Sequence, residues 1–151
     1  MNFTHIHLYL NHLPFIGLMF SFGFLFYFLI RKNYDMVKIF LYIFVFLTVL
    51  TVPVFLTGDP AGETVKGITG IDESLVDSHE DAAWISFSLM IATGLLAVVG
   101  IVMIKKSKSM ITWFRFSLLI VALACIISLG RTASLGGDIR HPEIREVQQT
   151  K

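Results

Sequence analysis

The sequence predicts an all-α integral membrane protein, a bundle of four transmembrane helices, and three observations lead there. Of its 151 residues 55% are hydrophobic and 15% charged, with a mean hydropathy of +0.74; a soluble domain carries about 45–50% and about 25%. The apolar residues gather in four blocks of roughly 18–26 residues, each long enough as a helix to cross about 30 Å of hydrocarbon. No charged residue falls in the middle of a block, so the markers of an ion or proton path through the bilayer are missing. A net charge of +1 offers no basic face for nucleic acid. The single cysteine, Cys125, excludes a disulfide framework, a thiol redox pair and a Cys-rich zinc site.

The first span is expected from Pro14 to Ile30, the second from Val37 to Leu56, the third from Ala82 to Ile104 and the fourth from Met110 to Leu135. Connections Arg31–Met36 and Lys105–Ser109 are tight, which makes the helices they join antiparallel neighbours. The long connection runs from Thr57 to Asp81. Its start, Thr57-Gly58-Asp59-Pro60-Ala61-Gly62-Glu63, reads as turn chemistry. Pro53 is expected to kink the second span near its end. Cys125 reads as a small buried apolar residue, and the run Phe20–Phe28 as lipid-facing or packing surface. Neither repeat nor second domain is visible, so residues 1–151 form one four-helix domain.

Charge placement sets the expected orientation. Arg31, Lys32 and Lys38 flank the first tight turn, and Lys105, Lys106, Lys108 and Arg115 the second. The positive-inside rule makes that side cytoplasmic. Both termini and the long loop then face outward, in a bacterial inner membrane with periplasmic N and C termini. All acids but Asp35 fall on the outer side. The first span lacks a basic leader and is followed by Arg31-Lys32, the wrong polarity for a cleaved signal peptide; it is expected to be retained.

All five histidines, His5, His7, His12, His79 and His141, map to the outer side. Three separate segments thereby bring imidazoles to one depth, and imidazole ligates both metal ions and haem iron. Interfacial histidines can equally serve no ligand, but His12, His79 and His141 each adjoin a turn-former or a carboxylate. Alternation in His5-Ile6-His7 would put two rings on one side of an extended leader, with His7 the better ligand. Spacing of Ile71, Leu75, His79, Ala82/Ala83 and Ser86 is helical, so a helix is expected to begin near Ile71 and run into the third span. Asp72 and Glu73 would lie in its first turn, where the dipole favours them. Small residues on the His79 face suit a planar macrocycle or close helix packing.

Arg131 at the outer end of the fourth span needs an anion or a path to water; a haem propionate, Asp59, Glu63 and Asp138 are the candidates, and Arg140 could serve likewise. Glu80, Asp81 and Glu143 are potential oxygen ligands. No Ser/His/Asp arrangement, phosphate-cradling glycine loop or CxxCH haem-attachment motif occurs.

Four motifs, Asn-His-Leu-Pro-x-x-Gly (11–17), Thr-Gly-Asp-Pro-Ala-Gly-Glu (57–63), His-Glu-Asp-Ala-Ala (79–83) and Gly-Gly-Asp-Ile-Arg-His-Pro-Glu (136–143), span nearly the whole chain. Together they resemble a family of small bacterial four-helix membrane proteins, akin to a membrane domain sometimes fused to cytochrome c modules. The resemblance implies a redox setting and carries His12, His79, Arg140 and His141 as functional positions.

The leading expectation is a membrane b-type cytochrome: one or two haem b groups near the outer face, held by pairs drawn from His7, His12, His79 and His141, with Arg131 and Arg140 toward the propionates. Electrons would pass between a quinone or membrane donor and a periplasmic redox protein, making the chain an electron carrier or redox subunit rather than a stand-alone enzyme. A second reading places a copper, zinc or iron ion on the same histidines, with His5, Glu80, Asp81 or Glu143 assisting. A third makes the chain an accessory subunit of a larger membrane complex or a homo-oligomer, with incidental histidines.

Overall fold

The computed structural model describes residues 3–66, 68 and 72–140 of the protein. Among the described residues six helices run in order: α1 (Phe3–Leu10), α2 (His12–Ile30), α3 (Tyr34–Leu56), α4 (Gly58–Lys66), α5 (Glu73–Ser107) and α6 (Thr112–Arg140). Four helical stretches, His7–Ile30, Tyr34–Lys66, Glu73–Ser107 and Thr112–Ile139, are long and apolar enough to cross a membrane. The chain is a multi-pass four-helix bundle, and all four expected spans are present.

α2 packs on α3 and α6, and α5 packs on the same two helices, closing a ring of antiparallel neighbours. Inward stripes supply the core: Leu18 and Leu25 from α2, Leu41 and Phe44 from α3, Met90 from α5 and Leu118 and Cys125 from α6 are fully buried. Phe20, Phe24 and Phe26 face outward, as a lipid-facing surface should. Lipid is as apolar as these side chains, so close packing and interhelical hydrogen bonds hold such a bundle together. Gly94 shows the closeness: a β-carbon there would lie 2.5 Å from Thr48 Oγ1. That hydroxyl reaches across to the Met90 carbonyl at 3.2 Å. Between α5 and α6, Ser86 Oγ bonds Ser128 Oγ at 2.8 Å and Thr132 Oγ1 at 2.9 Å.

The ends of the elements differ from expectation in instructive ways. The leader is helical over Phe3–Leu10 and not extended, so at 3.6 residues per turn His5 and His7 point about 160° apart and do not share one side. Thr57–Glu63 is mostly helix α4, not a turn. Pro60 sits in its first turn, where a missing N–H leaves no bond unmade. Thr57 alone separates α3 from α4, its hydroxyl donating to the Pro53 carbonyl at 2.8 Å and the Val54 carbonyl at 3.0 Å. α5 begins at Glu73 with Asp72 as its N-cap, the Asp72 carboxylate accepting from Ser74 N at 3.0 Å. The helical reading around His79 therefore stands, although Ile71 lies outside the described residues. Pro14 occupies the first turn of α2 rather than its first position.

α1 and α4 lie across the same end of the bundle, α1 against α4, α2 and α3, and α4 against α3 and α5. Lys66 pins α4 to α5 through Asp77 at 2.9 Å and Glu80 at 3.5 Å. A roof of two short helices therefore covers the four long ones.

Candidate functional site

Under that roof is a cavity of about 330 Å³ lined by His7 and His79, by apolar residues such as Val54, Phe87 and Leu129, and by Asn11. It falls at the lower end of the range of cofactor pockets, about 300–1,000 Å³. Residues from all six helices contribute, so the cavity exists only in the assembled bundle.

The two histidines are held in the same way. His7 Nδ1 donates to the Val54 carbonyl at 3.0 Å, and His79 Nδ1 donates to the Thr132 carbonyl at 3.0 Å. A carbonyl only accepts, so Nδ1 carries the proton and Nε2 of each neutral ring keeps a free lone pair. Ligating histidines are oriented by this kind of outer hydrogen bond. Both rings are half-buried.

A carbonyl inside a helix is normally screened by the residue four positions on. Here that residue is glycine both times: Gly58 follows Val54, and Gly136 follows Thr132. A β-carbon at Gly136 would lie 3.2 Å from His79 Cε1 and 3.5 Å from its Nδ1; at Gly58 it would lie 3.5 Å from His7 Cε1. The His79 imidazole thus rests edge-on in a notch that a methyl group would crowd, whereas at Gly58 a methyl group would make ordinary contact with His7. At neighbouring Gly137 nothing comes within 4 Å.

The remaining expected residues are dispersed. His12 lines the cavity but is exposed, and His5 is exposed on α1. Glu80 lines the cavity with its carboxylate engaged by Lys66, and Asp81 is exposed. Arg131 is exposed, with no carboxylate among the described residues at ion-pair distance. The Arg140 side chain, His141 and Glu143 lie outside the described residues. Among those described, no three His, Cys, Asp or Glu side chains gather as a metal-holding group.

Sequence reasoning found the two rings and missed their seats. A backbone carbonyl has no letter of its own, but the glycine four residues beyond it does: Val-x-x-x-Gly ending at 58 and Thr-x-x-x-Gly ending at 136. Asn11 was also missed as a lining residue; its Oδ1 is buried without a partner. No family model, curated protein or solved structure matches the chain, leaving the site to be read from its own geometry.

Proposed function

We propose that the chain is a membrane b-type cytochrome in which His7 and His79 would be the residues that hold a haem. The observation that carries this reading is the matched seating of the two rings. Each is turned by an Nδ1–H bond so that Nε2 is free, and both line one largely apolar cavity. Two imidazoles suffice for haem iron, whereas a bare ion needs three or four ligands. Bound haem would supply one-electron chemistry; the chain's part is to fix ligand tautomer, exclude water and keep the surroundings apolar. His12 stands at the margin of the cavity, and Arg131 at the same end of the bundle would be available to a propionate.

The resemblance to small bacterial four-helix membrane proteins in a redox setting agrees with this assignment. So does the charge pattern, which favours a bacterial inner membrane with the histidine end periplasmic. A membrane quinone and a periplasmic redox protein are the fitting electron partners.

The test is a reduced-minus-oxidised optical spectrum of the detergent-purified chain and its variants. The parent, His5→Ala and His12→Ala should show a Soret band with split alpha and beta bands. His7→Ala and His79→Ala should lose the six-coordinate spectrum. A parent that takes up no haem, or a His7→Ala/His79→Ala double variant that retains the parental spectrum, overturns the proposal.

A further inference from the structure

The opposite end of the bundle carries seven basic residues against one acid, Asp35. Asp35 is exposed and already faces Lys38 at 3.4 Å. Two details separate this collar from charge that merely sets topology.

The first is Arg115, in the first turn of α6. Its Nη2 donates to Thr112 Oγ1 at 2.8 Å, while its Nε is buried and has no acceptor. A buried donor left unmade is costly, and a guanidinium without a counterion is more so. The second detail is backbone strain at both hairpin tips. Lys32 and Lys108 have φ of 51° and 53°, the left-handed conformation that glycine usually takes after a helix. A β-carbon is unfavourable there, yet both tips carry lysine. Strain retained at matching positions points to a role for the side chains. The two lysines place an ammonium on each hairpin tip, and because α6 neighbours α2, Arg115 shares that end with Arg31 and Lys32.

We infer that this collar binds the phosphate group of an anionic phospholipid, with the Arg115 guanidinium and the Lys32 and Lys108 ammonium groups supplying the positive charge. Guanidinium matches phosphate oxygens in a fixed fork, and juxtamembrane lysines and arginines attract anionic headgroups. The inference is independent of the histidine site.

Glycine at positions 32 and 108 separates binding from folding, because it removes charge and strain together. The experiment is native mass spectrometry of the full-length chain in detergent, titrated with phosphatidylglycerol, with phosphatidylcholine, and with inorganic phosphate as competitor. Melting points are recorded with each lipid. The parent should retain phosphatidylglycerol in preference to phosphatidylcholine and gain thermal stability from it, with millimolar inorganic phosphate failing to displace it. Lys32→Gly/Lys108→Gly should melt no lower than the parent without lipid, yet bind phosphatidylglycerol at least about tenfold more weakly. Arg115→Gln should weaken binding likewise, and Arg115→Lys should restore part of it. Parental affinity in the glycine double variant and in Arg115→Gln overturns the inference. Equal retention of the two lipids, or capture of inorganic phosphate alone, also overturns it.

Discussion

Replacing Gly136 by alanine tests the seating of His79 directly. The new β-carbon would meet the ring at 3.2 Å from Cε1, so the imidazole must retreat by a few tenths of an ångström and stretch its 3.0 Å bond to the Thr132 carbonyl. Weakening that bond costs about 0.5–1.5 kcal/mol, and an off-rotamer ring about as much again, roughly 0.5–1.5 kcal/mol. The sum, about 1–3 kcal/mol, corresponds to roughly 5- to 150-fold in affinity. Alanine is also a better helix former than glycine by about 1 kcal/mol, so the fold itself should not suffer. Haem titration of the apo-protein, with ¹⁵N NMR of the His79 ring, reads the two effects separately. Gly136→Ala should bind haem about tenfold more weakly and lose the fixed Nδ1–H tautomer while melting close to the parent. Gly137→Ala, one residue on with open space around it, should bind normally. Gly58→Ala, whose β-carbon would make ordinary contact at 3.5 Å, should stay close to the parent. Equal affinities for Gly136→Ala and Gly137→Ala would refute the notch.

Further outcomes follow from the packing and the charges. Gly94→Ala drives a β-carbon to 2.5 Å from Thr48 Oγ1 and should destabilise the bundle by about 1–3 kcal/mol; adding Thr48→Ala should recover only part of that loss in a denaturation assay, because Thr48 Cβ itself stays 2.9 Å away. Ser86→Ala removes two interhelical hydroxyl contacts and should cost about 0.6–1.7 kcal/mol, read in the same assay. Single cysteines at Ser107 and Asp138 should label from opposite sides of intact spheroplasts, only position 138 reacting with an impermeant maleimide; reaction at position 107 alone would reverse the proposed orientation.

The bundle was legible because hydrophobic runs, tight basic turns and length each point the same way. The roof was not. Gly58, Pro60 and Gly62 are turn formers by propensity, and α4 docks where Ala61 is buried and Lys66 meets Asp77 and Glu80, tertiary contacts that no local window contains. His5-Ile6-His7 misled for a related reason: period-two alternation was assigned to a segment whose backbone is helical. At the site, imidazole is conspicuous in an apolar sequence, so His7 and His79 stand out there, but only together with His12 and His141. Their partners are main-chain carbonyls of Val54 and Thr132, and only the spacing to Gly58 and Gly136 leaves a written trace.

Neither anchored imidazole leans on the other half of the molecule. His7 is fastened to α3, within the amino-terminal hairpin, and His79 to α6, within the carboxyl-terminal one. Each hairpin therefore carries the carbonyl that orients its own ring, and the two hairpins together complete the chamber. A molecule gripped from both sides acts as a staple across that seam, adding its binding free energy to the association of the hairpins. Two fragments divided between α4 and α5 should accordingly find each other more tightly with the guest present than without it.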